Sequence, residues 1–214
     1  RFQDPLAELV KIDPKAIGVG QYQHDVNQGL LKKKLDQVVV AVVNRVGVDV
    51  NTASAHLLKY VSGIGESLSR HIITHRNEHG AFRSREELLS VRLFGPKAFQ
   101  QCAGFLRIPG AENPLDGTGI HPESYGVVGA ICGKLGKTIP ELIRNQGLLQ
   151  QIRPEEWVTD SFGLPTIQDI LKELEAPGRD PRHDFTPFEF AQGIEKIGDL
   201  SENMVLPGIV TNVT

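Results

Sequence analysis

The sequence predicts a mainly α protein built of two small helical domains, with short strand fragments at both ends. Three observations carry this. Apolar residues recur at helical spacing through 27–46, two helix-forming stretches flank a glycine-rich hairpin at 62–65, and segments dense in Gly, Pro and Asn separate the helical blocks. Hydrophobic residues make up 40% of the 214 positions, enough for real cores, and aromatics only 6%, so those cores should be aliphatic.

Taken in order, Asp4 caps and Pro5 opens a helix over 4–12. Ile17 to Tyr22 reads as a short strand. Residues 27–46 form the clearest long helix, with Leu30, Leu31, Leu35, Val38, Val39, Val42, Val43 and Val46 on one face; the 3.6-residue period outweighs the β propensity of the valines. Lys32, Lys33 and Lys34 read as a solvated face of that helix, with a nucleic-acid patch as the alternative. Asn51 or Thr52 should cap a helix to Val61, and a further helix should run from Glu66 to Glu78, ended at His79-Gly80. Ser84 with Glu87 has the spacing of a capping box for a short helix to Leu89, and Pro96 opens another to Leu106. Residues 109–120 read as a loop and domain boundary. Helices follow at 122–134, 138–146 and 166–174, with Thr138 and Thr166 as N-caps. Residues 176–187 read as a second linker, and the β-branched stretch Val205–Thr214 as a strand that stops short. The chain is expected to be a piece of a longer protein.

The net charge of −3 argues against a polyanion partner for the whole, but its distribution points the other way. Residues 53–108 hold eight Lys/Arg against four Asp/Glu, whereas 109–200 hold eight against fifteen, so basic charge gathers where the hairpin lies. Cys102 and Cys132 sit in apolar surroundings without a CxxC pair and read as reduced, buried thiols rather than zinc ligands. No apolar run reaches the length of about eighteen residues that a membrane span needs.

The hairpin reads Lys59-Tyr60-Val61-Ser62-Gly63-Ile64-Gly65-Glu66-Ser67-Leu68-Ser69-Arg70. Gly63 and Gly65 permit positive φ and let a partner approach the backbone, Ile64 pins the turn to the core, and Ser69 is small where the helices cross. The second helix then presents unpaired N–H groups and a partial positive charge, into which a phosphate oxygen fits. Ser62, Gly63, Ile64, Gly65 and Ser67 are the contact residues, with Arg70, Lys59 and Arg76 adding attraction and Glu66 opposing it. Such contacts read no bases, so binding should be sequence-independent. Val91 to Phe99 repeats the layout with Gly95 and Lys97 as further contacts, but Leu93 stands where the first glycine would be, which favours a scaffold role.

An enzyme is not expected. Only Asp25, beside His24, lies near a region that could supply metal-binding carboxylates, and no phosphate-binding GxxxxGK[ST] loop or HExxH occurs. His71, His75 and His79 share a helix face but read as packed or solvated. No catalytic residue, metal or cofactor is expected. Trp157 reads as a core anchor, with an interface as the alternative.

Several strings resemble a known family. Arg76-Asn77-Glu78-His79-Gly80-Ala81-Phe82 with Glu86-Glu87-Leu88-Leu89 looks like the linker of paired helix-hairpin-helix domains. Ile17-Gly18-Val19-Gly20-Gln21-Tyr22-Gln23-His24-Asp25-Val26, Val46-Gly47-Val48-Asp49-Val50-Asn51-Thr52-Ala53-Ser54, Ala103-Gly104-Phe105-Leu106-Arg107-Ile108, Asn113-Pro114-Leu115-Asp116 and Ile120-His121-Pro122-Glu123-Ser124-Tyr125 are similar to the Tex family of bacterial transcription accessory proteins. The resemblance implies the end of an RNase-H-like domain over 1–26, a tandem helix-hairpin-helix domain over 27–112, a second helical domain over 113–200 and the start of an OB-fold RNA-binding domain over 201–214. It implies binding of DNA or RNA in transcription, in the cytoplasm, with RNA polymerase or other transcription proteins as further partners. A protein-interaction scaffold, with nucleic-acid affinity resting mainly in an OB-fold, is the competing reading.

Overall fold

A computed structural model describes residues 5–178 together with Met204 and Val205. The chain divides after Pro181, and the body described belongs to the N-terminal unit. Its helices are α1 (Pro5–Leu9), α2 (Pro14–Ile17), α3 (Gln28–Val46), α4 (Ala55–Leu58), α5 (Glu66–His79), α6 (Pro96–Cys102), α7 (Tyr125–Leu135), α8 (Ile139–Leu142), α9 (Gln146–Leu149) and α10 (Leu164–Glu175). Two short strands, β1 (Val48–Asp49) and β2 (Leu106–Arg107), pair in parallel with Val48 opposite Leu106. The mainly α prediction therefore holds.

The long helix matches its expected span, and Asn27 caps it by accepting from the N–H of Leu30. α5 ends at Gly80, whose φ of 92° is open to glycine. Other boundaries moved. No strand forms at Ile17–Tyr22: Asp13 accepts from the Lys15 N–H with Pro14 at the first turn, so a short helix forms there and Gly18, at φ 84°, ends it. The expected helix over 4–12 shortens to α1. α4 starts after Ser54, because Asn51 is engaged elsewhere, exchanging two hydrogen bonds with the backbone of Phe82 at 2.8 and 2.9 Å. Residues 86–90 form a 3₁₀ turn, and the Glu87 carboxylate accepts from the Arg83 N–H rather than closing a capping box on Ser84. α6 stops at Cys102 and the chain tightens to 3₁₀ before β2. The helix expected over 138–146 splits at Arg144, which takes φ 62°; Thr138 and Glu141 do form their capping box. α10 starts after Gly163 rather than Thr166. The strand expected at 205–214 lies outside the described residues apart from Val205.

Among the described residues the buried apolar side chains form two clusters. One gathers Val43, Leu58, Ile72, Leu88 and Leu106 with others between Leu6 and Ile108; the second gathers Leu115, Ile131, Leu142, Ile167 and Leu174. The β1–β2 pair closes the first cluster by joining the end of α3 to the chain leaving α6.

The join between the clusters is not a loose loop. Leu115, Asp116, Thr118 and Ile120 within 109–120 are all buried. Leu115 and Ile120 belong to the second cluster, and the backbone around them is held by Arg85, fully buried. Its guanidinium makes five hydrogen bonds: to Leu106 O at 3.1 and 2.7 Å, Thr118 O at 2.5 Å, Ile120 O at 2.6 Å and the Tyr125 hydroxyl at 2.6 Å. All five donors of the group are thereby used. Asp116 accepts from the Arg85 N–H at 2.9 Å and from the Tyr125 hydroxyl at 2.5 Å, so the counter-charge sits one hydroxyl away. Burial pushes the Tyr125 phenol above its usual range.

Candidate nucleic-acid interface

The sequence from Val61 to Gly65 makes a tight turn between α4 and α5. The Ile64 N–H donates to Val61 O at 3.0 Å, and the Ser69 N–H to Gly65 O at 2.9 Å. Val61 and Ile64 are buried, so the turn is anchored by two aliphatic side chains on the first core. Ile64 thus reaches the surface only through its backbone. Ser69 is also buried, and its hydroxyl donates to Glu66 O at 2.8 Å.

The two glycines do different jobs. Gly63 has φ 84°, and a Cβ there would lie 2.8 Å from the Gln101 Cβ on α6. Its missing side chain is required by the protein's own packing. Gly65 has φ −84° and ψ 176°, an extended conformation open to any residue, so the expectation of positive φ fails there. A Cβ at Gly65 would meet nothing within 4 Å. Gly65 is therefore the bare position, and it stands directly before the first turn of α5 with no side chain capping that end. The N–H groups of Glu66, Ser67 and Leu68 have no intrahelical acceptor by helix geometry.

Ser67 and Arg70 are exposed, and Arg70 pairs with Glu66 one turn away. That pair lessens the repulsion Glu66 would offer an anion while engaging Arg70. Ser62 faces α3: Asn44 donates to its hydroxyl oxygen at 3.1 Å and accepts from its N–H at 3.0 Å, leaving the hydroxyl hydrogen to donate outward. Lys59 is exposed, with its ammonium 5.2 Å from the Tyr60 ring centre.

The second unit, from Val91 to Gly95, has the same backbone. Phe94 N–H donates to Val91 O at 3.0 Å and Phe99 N–H to Gly95 O at 3.0 Å. Val91 and Phe94 are buried like Val61 and Ile64. Leu93 adopts φ 65° where Gly63 has 84°, so the leucine takes on the left-handed turn that a glycine would supply. Its side chain is 71% exposed. Gly95 has φ −89° with open space at its Cβ, and Lys97 is exposed. The structure places the Ser62–Ser67 residues together at the start of α5, and Gly95 with Lys97 at the start of α6.

The basic charge of 53–108 is less available than its count suggests. Arg85 is buried. Arg107 is mostly enclosed, donating to Gly104 O at 2.6 Å, and burial pulls its guanidinium down to about 10. Arg76 donates to Val50 O and Ala53 O at 2.8 and 3.1 Å. Five of the eight cations remain for solvent, against four carboxylates.

Other candidates resolve locally. His75 and His79 stack at 4.3 Å, and His75 stacks on Phe82 at 5.3 Å. Among the described residues no three His, Cys, Asp or Glu side chains are placed to share a metal ion. Both cysteines are buried and free, and burial pushes Cys102 up to about 12. Trp157 packs on the second core with Lys134 Nζ 5.4 Å from its ring centre. No helix among the described residues is long and apolar enough to cross a membrane.

Comparison with known proteins matches these two halves separately. A helix-hairpin-helix motif model covers residues 43–107, and an HHH domain model covers residues 113–182. The chain is 56% identical over 213 residues to the transcriptional accessory protein Tex of Neisseria gonorrhoeae, covering all of this chain and 28% of the relative. It is 52% identical over 214 residues to protein YhgF of Escherichia coli, again covering all of this chain and 28% of that protein. The S1 RNA-binding domain-containing protein 1 of Homo sapiens is 36% identical over 270 residues, covering all of this chain and 27% of that protein. The chain thus spans little more than a quarter of the length of these relatives.

Proposed function

We propose that this chain, which belongs to the Tex family over its whole length, grips the phosphate backbone of DNA or RNA without regard to sequence, as part of a transcription accessory factor. The observation that supports it is the open start of α5. Gly65 leaves space in front of the helix, no side chain caps its first N–H groups, and Ser67 and Arg70 lie exposed in its first turns, with Ser62 on the turn before it. A phosphate there would accept backbone hydrogen bonds and meet the positive end of the helix. On this reading residues 27–112 are the gripping domain and 113–200 a second helical domain. The chain carries no catalytic role, and it works in the cytoplasm.

Gly65→Asp tests this. The backbone at 65 accepts an L residue, its Cβ meets open space, and aspartate is a good N-cap, so the variant should fold. Its carboxylate would occupy the phosphate position, and affinity for a labelled oligonucleotide should fall at least tenfold. Unchanged affinity in the folded variant would overturn the reading. Affinity of the unaltered chain should also drop steeply with added salt.

One observation favours a second reading, a scaffold contacting RNA polymerase or another transcription protein. Ile17, Leu30 and Val38, on α2 and α3, are all more than half exposed, and Ile17 and Val38 line one apolar depression with Leu9 and Val42, a kind of surface that can receive a protein partner. Capture of polymerase that survives nuclease treatment would support it.

A further inference from the structure

We infer that the groove running along α3 carries the neighbouring phosphates of a strand held at the Ser62–Gly65 hairpin, with Lys32 and Lys33 as their contacts. This rests on the phosphate reading of that hairpin and extends it to a path. One shallow, open depression joins the two places: along α3 it is lined by Lys32 and Lys33, then by the apolar Val40 and Ala41, and then by Asn44, with Ser62 of the hairpin beside it. Its hairpin end is fixed, since Asn44 holds both the N–H and the hydroxyl of Ser62.

The spacing suits a polymer rather than a single ion. Lys33, Gln37, Ala41 and Asn44 succeed one another on one face of α3, and the rise from Lys33 to Asn44 is about 17 Å of helix. Phosphates of one duplex strand advance about 3.4 Å each along the axis, so the groove can follow several. The apolar stretch suits the sugar edge, and the lysines suit the charge. Asp36 is the single carboxylate lining the groove, outnumbered by the two lysines beside it. Lys34, also exposed, does not line it. The triple lysine is therefore not one uniform solvated face: two of the three share a groove with the hairpin and the third does not.

That difference supplies the test. Binding of the 214-residue chain to a labelled mixed-sequence oligonucleotide, single-stranded and duplex, would be followed by anisotropy over a salt series. Lys32→Glu with Lys33→Glu should weaken binding by roughly tenfold at low salt and reduce the salt slope by about two. Lys34→Glu, the same reversal one residue away, should have several-fold less effect. Circular dichroism would establish that both variants, and Lys33→Glu alone, remain helical. Equal losses from Lys33→Glu and Lys34→Glu would reduce the effect to bulk charge and overturn the path. An unchanged affinity and slope in the double variant would also overturn it, even where Gly65→Asp abolishes binding and the hairpin reading stands. If instead the lysine reversals weaken binding and Gly65→Asp does not, the hairpin reading fails and the path that starts from it fails with it.

Discussion

The two hairpins share a backbone and differ in what they can offer a ligand. Val61-Ser62-Gly63-Ile64-Gly65 and Val91-Arg92-Leu93-Phe94-Gly95 each bury their first and fourth side chains, and each puts its third residue in the left-handed region. Each also enters its helix through an extended glycine. The first hairpin meets the left-handed requirement with glycine and is bonded to α3 through Asn44. The second meets it with an exposed leucine, a conformation that costs an L residue roughly 1–2 kcal/mol. The comparison teaches that hairpin geometry comes from the two buried anchors, while glycine content decides how bare the turn is.

The largest expected effect would erase the comparison altogether. Arg85 lies between the hairpins in sequence and ties the chain around them to Leu106, Thr118, Ile120 and Tyr125. Arg85→Met would strand these acceptors and leave Asp116 buried without its nearby cation. Losses of about 3–5 kcal/mol are usual when one partner of a buried charge arrangement is removed. Urea unfolding should show that loss, with both hairpins melting together. A loss below about 1 kcal/mol would mean the network is not what unites them.

Arg85 is also where the sequence was least legible. Its place in a basic stretch reads as surface charge, because nothing local announces partners that lie 21 to 40 residues away. Residues 109–120 have the composition of a linker for the same reason: their burial comes from distant partners, Arg85 for their backbone and the second cluster for Leu115 and Ile120. The long helix and the first hairpin were legible, since a 3.6-residue period and Gly-Ile-Gly between helices are local signals. The likeness of the second hairpin was half hidden, because leucine is a poor signal for a left-handed turn. Strands of two residues, such as β1 and β2, are too short for any alternation to appear. At the candidate site the turn itself was legible, but the packing of its two glycines was not. Which glycine is bare and which is packed depends on Gln101, a residue of another helix.

A swap at the third hairpin position should split the pair by sign. Gly63→Ala meets both a φ of 84° and the Gln101 Cβ at 2.8 Å, so it should destabilise by about 2–3 kcal/mol. Leu93→Gly relieves the turn at the cost of glycine's backbone entropy, roughly 0.5–1 kcal/mol. It should leave stability unchanged or raise it by up to about 1 kcal/mol. Thermal melts of the two variants measure this directly. Leu93→Gly should also bare the second turn and strengthen oligonucleotide binding. If both variants destabilise alike, Leu93 is held by packing that its exposure does not suggest.

The smallest effect should separate the hairpins most finely. Asn44 donates to Val40 O at 2.7 Å and to Ser62 Oγ at 3.1 Å, and accepts from the Ser62 N–H at 3.0 Å. The second hairpin has Arg92, exposed, at the place of Ser62. Asn44→Ala should therefore cost about 1–2 kcal/mol overall, and its local consequence should be one-sided. Amide exchange should quicken at Ser62 and Ile64, whose turn loses its tie to α3. At Phe94, whose turn never had one, exchange should follow only the change in global stability. Equal local quickening at Ile64 and Phe94 would show that the turns are held as one piece, and that the bonds to α3 do not set the first hairpin apart.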